Sequence, residues 1–366
     1  MPGNSFGHLL RLTTFGESHG AAIGGILDGV PAGLIISEAE IQHELDLRKP
    51  GQGLGTSPRQ EADRIQILSG LFEGRTQGTP IGFCIFNTNA HSKDYANLAQ
   101  VFRPGHADYT YWRKYNSIRD YRGGGRASGR ETAARVAAGA IAQKILHQAQ
   151  INVYAACVEF GGLACAEPRD FTQASSRPFW AATQEIVPAW EELVHKARAA
   201  QDTLGGIVEI IAQGVPAGLG EPVFDKLSAL LAHALMSVGA VKGVEIGDGF
   251  AAARATGSSN NDPLFPDKQG QICFASNHAG GILGGISSGQ DIVLRCAVKP
   301  IASITKPQNT VDIHGNATSI CIQGRHDLSA IPRIVPVLKA MTALVLADCL
   351  LQQQLLQSQQ VLNLQN

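Results

Sequence analysis

The sequence predicts an α+β protein of 366 residues, made of two similar halves packed into one body. Three observations carry this. Six runs rich in β-branched residues are bounded by glycine or proline, and three apolar segments have helical character. The hexapeptide Gly29-Val30-Pro31-Ala32-Gly33-Leu34 recurs 185 residues later as Gly214-Val215-Pro216-Ala217-Gly218-Leu219, each copy behind an isoleucine-rich run.

The strand runs are 23–27, 81–86, 153–160, 207–212, 292–298 and 319–323. The first helix is predicted at 131–150, where alanine, isoleucine and leucine follow the charged start Arg130-Glu131, so it should be largely buried. A second runs over 223–237 behind Glu221-Pro222, and a third over 332–354, where Pro332 suits the first helical turn. Segments 47–62 and 88–130 show little regular pattern, and loops of that length tend to carry function. Residues 167–205 read as an insertion between the halves. One domain over 1–366 is expected, with halves of about 1–150 and 151–350 and a glutamine-rich tail over 351–366.

Thirty basic and 31 acidic side chains give a net charge of -1, which argues against a globally basic surface for nucleic acid. The chain has no uninterrupted apolar run of about 18 residues, so no membrane span is expected. Seven cysteines lack any C-x-x-C pair and read as buried small hydrophobes of a reducing compartment. The N-terminus has neither a basic nor an apolar leader region, and cytoplasm is the default location. No metal site is expected, because neither H-E-x-x-H nor zinc-like Cys/His spacing occurs.

Charge is concentrated over 103–135, where Arg103, Arg113, Lys114, Arg119, Arg122, Arg126, Arg130 and Arg135 face only Asp108, Asp120 and Glu131. Within it, Gly123-Gly124-Gly125-Arg126-Ala127-Ser128-Gly129-Arg130 leads into a helix. Glycines let backbone N–H groups approach an anion, a helix start favours negative charge, and arginine grips phosphate or carboxylate bidentately. A P-loop is absent, and no apolar strand precedes the glycines as a dinucleotide fold requires. A polyanion or RNA-binding module is the competing class, but it would be expected to repeat the Arg-Gly-Gly cluster. Three further segments set histidine beside glycine and charge: Gly16-Glu17-Ser18-His19-Gly20, Arg103-Pro104-Gly105-His106-Ala107-Asp108 and Gly324-Arg325-His326-Asp327.

Taken in order, 16–20, 125–131 and 324–327 resemble the signature motifs of chorismate synthases. The resemblance extends through 103–108, 240–247, 276–289 and 299–303 and spans roughly residues 4 to 350. It implies a β-α-β sandwich in which antiparallel sheets, one from each half, enclose a helical layer, in a homotetramer. The implied reaction is an anti-1,4-elimination of phosphate from 5-enolpyruvylshikimate 3-phosphate to chorismate. That reaction requires reduced FMN without net redox change. A phosphate bearing two carboxylates suits an arginine-rich site.

By matching motifs, the resemblance places FMN against Arg126, Ala127, Ser128, Gly239, Ala240, Gly284, Lys299, Pro300, Ile301, Ala302, Ser303 and Arg325. Gly239 replaces an asparagine found in some members. His106 matches the histidine that protonates reduced flavin, and His19 the one beside the departing phosphate. Asp327 matches the aspartate that helps flavin N5 accept the C6 proton, a role suited to a carboxylate beside Arg325. Substrate falls to Ser18, Arg48, Arg103 and Arg130, with Ser128 shared. Arg48 also matches a position assigned to NADP. A neighbouring position, basic in the common pattern, is Leu54 here, so NADPH is expected to act through a separate flavin reductase. No nucleic-acid or membrane partner is expected.

Overall fold

The computed structural model describes residues 3–49, 63–87, 98–322 and 327–357. The first half runs β1 (Ser5–Phe6), β2 (Arg11–Phe15), β3 (Ala22–Asp28), α1 (Glu38–Arg48), β4 (Ile65–Ile67), a hairpin of β5 (Leu71–Phe72) and β6 (Arg75–Thr76), β7 (Ile81–Phe86), α2 (Asp108–Lys114) and α3 (Thr132–Gln148). The second half begins with β8 (Asn152–Phe160), β9 (Leu163–Ala164), α4 (Val187–Ala199), β10 (Gly206–Gln213), α5 (Leu227–Met236) and β11 (Val241–Ile246). It continues through the single turn α6 (Gly257–Asn260), β12 (Leu264–Pro266) and β13 (Ile272–Phe274). It ends with the hairpin β14 (Ile282–Leu283) and β15 (Ile286–Ser287), then β16 (Ile292–Val298), β17 (Gln308–Val311), β18 (Ala317–Ile320) and α7 (Ile331–Gln357).

Each half builds one five-stranded antiparallel sheet, and the strand orders correspond. β2-β3-β7-β4 in the first matches β8-β10-β16-β11 in the second, while the edge strand precedes its neighbour in the first sheet (β1 before β2) and follows it in the second (β9 after β8). The repeated hexapeptide explains the match at the level of hydrogen bonds. In the first copy, Thr76 Oγ1 donates to Pro31 O at 2.6 Å and accepts from Leu34 N at 3.0 Å, while Gly33 N donates to Thr76 O. In the second copy, Ser287 Oγ donates to Pro216 O at 2.6 Å and accepts from Leu219 N at 2.8 Å, while Gly218 N donates to Ser287 O. The hydroxyl of each hairpin thus clamps the turn that follows β3 or β10. Glycine is required at the turn's first position, because a Cβ would strike Leu9 O at 29 or Gln150 O at 214 and φ is 81° and 75°.

Helices α1, α3, α5 and α7 form the layer between the sheets, with α3 against β2, β3 and β8 and α7 against β8 and β10. Helices α3 and α7 meet almost backbone to backbone, since a Cβ at Gly139 would lie 2.3 Å from Ala340 Cβ. By length and composition alone α7 could cross a membrane, but here it is the buried core helix of the molecule. Its Asp348 carboxylate, 4% exposed, accepts the backbone N–H groups of His8, Leu9 and Leu10 at 2.8–2.9 Å and so fastens the N-terminal segment to the core.

Several boundaries differ from the sequence reading. The second helix starts at Leu227 because residues 223–226 are exposed and Leu227 N is taken by Gly285 O. Segment 167–205 contains α4, whose Trp190, Val194 and Ala197 pack inward. α1 was not expected at all, although Ser37 and Glu40 form a capping box at its start. The last helix runs on to Gln357, so residues 351–357 of the expected tail are helical.

Candidate active site

In each half one long segment joins the last sheet strand to the long central helix: 87–131 between β7 and α3, and 299–330 between β16 and α7. These equivalent segments meet. Phe102 N donates to Val311 O and Ile313 N to Gln100 O, forming a short bridge, and Thr310 Oγ1 donates to Phe102 O. Lys299 Nζ donates to Gly105 O at 2.7 Å, and a Cβ at Gly105 would touch Ala302 Cβ at 3.2 Å.

Around this junction the tri-glycine loop brings two histidines together. Gly123, Gly124 and Gly125 have φ of 62°, 94° and 54°, a left-handed run that glycine adopts without steric cost. A Cβ at 123 would lie 2.4 Å from His19 Cε1, and one at 124 would lie 2.8 Å from His106 Cε1. The two imidazoles therefore rest on adjacent residues of one loop. Ser18 N donates to Gly125 O, and Ser18 Oγ is 3.0 Å from His19 Nδ1. Asn87 Nδ2 holds the same turn through Glu17 O and Gly20 O.

The basic stretch is more neutralised than its composition suggests. Asp108 is buried, accepts from Arg103 Nε at 2.7 Å and Arg103 Nη2 at 2.9 Å, and forms an ion pair with Arg119 Nη1 at 3.0 Å. Burial pushes its carboxyl up, but hydrogen bonds and charge from Arg103 and His106 outweigh that and hold it well below the usual carboxylate range. Arg122 pairs with Asp120 and Arg135 with Glu131. Arg126 is spent largely on the protein, reaching Thr14 Oγ1 at 2.7 Å, Asn4 Oδ1 at 3.0 Å and Gly16 O at 3.2 Å.

Arg48 and Arg130 share Asp63, whose side chain is fully buried. Arg48 is 1% exposed, and its Nε, Nη1 and Nη2 donate to Thr132 Oγ1, Asp63 and Gly129 O. That geometry makes it a strut beneath Arg130 and the start of α3. Arg130 Nε donates to Asn87 Oδ1, so Asp63, Arg130 and Asn87 connect α1 to the His19 turn. Ser128 Oγ accepts Arg130 N and caps the turn before α3.

The second half supplies the opposite wall. Lys299 N donates to Ala240 O at 2.9 Å, and Arg135 on α3 donates to Ser237 Oγ at 2.6 Å, which draws 237–240 toward the Arg126 loop. Thr203 Oγ1 donates to Ile301 O, and the adjoining Leu204 N donates to Leu328 O, so Asp327 lies one residue from the strap on the 299–303 loop. Its partner among the described residues is Arg333, at 3.0 Å. Arg325, like His326 and Leu54, lies outside the described residues. Gly284 occupies the tip of the β14–β15 hairpin, whose neighbouring Gly285 lies against Lys226. A Cβ at Gly284 itself would meet open space, while Gly285 O accepts Leu227 N at the start of α5.

This wall suits an anionic group. Lys299 is held below the usual lysine range first by burial and then by the charge of Lys242, two cations of one sign at the mouth of a loop. A Cβ at Gly129 or Gly239 would meet open space, so the backbone there is approachable. Residues 126–128, 239–240 and 299–303 thus fit a phosphate-bearing group. Asp63 and Asn87 were missed in the sequence because each acts on Arg130, which lies 67 and 43 residues further along the chain. No group of acid, histidine and cysteine side chains suited to a metal occurs among the described residues.

A family model described as chorismate synthase matches residues 10–351. The chain is 64% identical over 358 residues to a chorismate synthase of Desulfovibrio desulfuricans, covering 97% of this chain and 98% of that protein. It is 54% identical over 354 residues to one of Paramagnetospirillum magneticum, covering 96% and 98%. A crystal structure of chorismate synthase superposes with a TM-score of 0.75 at 33% identity, over 95% of this chain and 93% of that one.

Proposed function

The chain belongs to the chorismate synthase family, and on that premise we propose that it eliminates phosphate from 5-enolpyruvylshikimate 3-phosphate to give chorismate, using reduced FMN. It is a carbon-oxygen lyase of aromatic amino-acid biosynthesis, acting on a small molecule. The observation that carries the site assignment is the seating of His19 and His106 on adjacent glycines of one loop, where the equivalent segments of both halves meet.

Reduced FMN, when bound, supplies electron density to the allylic system and takes it back, so the overall reaction is redox neutral. Arg126, Ala127, Ser128, Gly239, Ala240 and 299–303 would hold it, with Arg325 and Gly284 added by motif. His19, steadied by Ser18 and Asn87, gives a proton to the departing phosphate. His106 holds a proton for the flavin, and Asp327, fixed by Arg333, assists removal of the C6 proton. Arg103, Arg130, Ser18 and Ser128 meet the substrate, while Arg48 supports Arg130 from behind. Nη1 of Arg103 has no hydrogen-bond partner among the described residues and suits a carboxylate or phosphate.

We further read the chain as one catalytic domain of two halves, about 1–150 and 151–350, assembled as a cytoplasmic homotetramer and supplied with reduced flavin by a separate reductase. Neither nucleic acid nor membrane is a partner in this reading. Anaerobic assay with reduced FMN should release one phosphate per chorismate formed. His106→Ala and Asp327→Ala should each slow turnover about 10²–10⁴-fold with little change in flavin affinity. Wild-type rates in either variant would remove its role. FMN reduction by NADPH with this protein alone would refute the separate reductase.

A further inference from the structure

His106 Nδ1 lies 3.1 Å from Arg103 Nη2 and 3.1 Å from Asp108 Oδ1. A guanidinium only donates and a carboxylate only accepts. In the neutral tautomer protonated at Nε2, Nδ1 accepts from Arg103, and in the neutral tautomer protonated at Nδ1 it donates to Asp108. With a charged ring, Nδ1–H donates to Asp108. Both partners are already in place for both states, so the ring gains or loses a proton without any side chain moving. Asp108 is fixed in turn by Arg103 and by Arg119, which is anchored to the backbone carbonyls of Leu98, Ala99 and Val101.

We propose that Asp108 and Arg119 are positioning residues that set how readily His106 carries its proton: Asp108 as the anion that tolerates a charged ring beside Arg103, and Arg119 as the cation that tempers that anion. Among the described residues, the other charged groups facing the ring are Lys299, through the Gly105 carbonyl, and His19, across the tri-glycine loop. The proposal rests on the reading of His106 as a proton donor, under which activity falls on an alkaline limb as the ring loses its proton.

The test is the pH dependence of anaerobic phosphate release by the full-length enzyme with reduced FMN, paired with NMR titration of ¹³Cε1-histidine in the same variants. Asp108→Asn keeps an accepting oxygen but removes the charge, and should move both the limb and the His106 titration to lower pH by about 1 unit or more. Arg119→Gln should move both to higher pH, and Asp108→Glu should return both toward wild type. A titration that moves while the activity limb stays put upholds the coupling and removes His106 as the proton donor. Activity lowered equally at every pH with an unmoved titration overturns the coupling. Should Asp108→Asn not fold, an unmoved titration in Arg119→Gln overturns it equally.

Discussion

Alanine substitution along the tri-glycine loop separates backbone strain from displacement of His19 and His106. At all three positions φ is positive, so each alanine carries a similar conformational cost of about 1–2 kcal/mol. What the new Cβ meets differs. At Gly125 the nearest atom is Asp120 Cβ at 3.6 Å, an ordinary contact. At Gly124 the Cβ falls 2.8 Å from His106 Cε1 and at Gly123 2.4 Å from His19 Cε1, where contact normally begins near 3.4 Å. The rings must then retreat by about 0.6 Å and about 1 Å, and a misplacement of about 1 Å at a reacting group costs up to about 10²-fold in rate. Anaerobic phosphate release should rank Gly125→Ala above Gly124→Ala, and Gly124→Ala above Gly123→Ala, at similar thermal stability. Equal rates in the three variants would refute the placement of the two imidazoles on this loop.

Other outcomes test the frame that holds the site. Asp348→Ala leaves three N–H groups, that of Leu10 buried, without their carboxylate and should cost about 1–3 kcal/mol in urea unfolding. Gly139→Val forces α3 from α7 and should lower stability by about 1–3 kcal/mol, read from the denaturation midpoint. Asp108 has a depressed carboxyl, so its stabilisation is complete above the unfolded value near 3.9 and lost as pH falls below it. Unfolding free energy should therefore fall less steeply below about pH 4 in Asp108→Asn than in wild type.

The parts of the fold legible in the sequence were those dictated by local pattern. Runs 81–86 and 292–298 carry their own boundaries because each lies between residues that break a strand, and both appear as β7 and β16. Helix α3 announced itself through an apolar composition that only a buried helix sustains. α1 was hidden because only Ile41, Leu45 and Arg48 turn inward, leaving a polar helix whose one clear signal was the Ser37–Glu40 capping box. The histidine motifs were legible as chemistry, but not their proximity, which depends on the fold bringing residue 19 to residue 123. The basic stretch misled in one respect. Asp63, 67 residues before Arg130, neutralises a charge that sequence-local counting left unpaired.

The most direct test of the account is a crystal structure of the protein with FMN and 5-enolpyruvylshikimate 3-phosphate. Flavin bound between 126–128 and 299–303, with His19 and His106 both turned to the ligands, is the predicted result. Flavin bound elsewhere, or either histidine turned away from a fully occupied site, would contradict it.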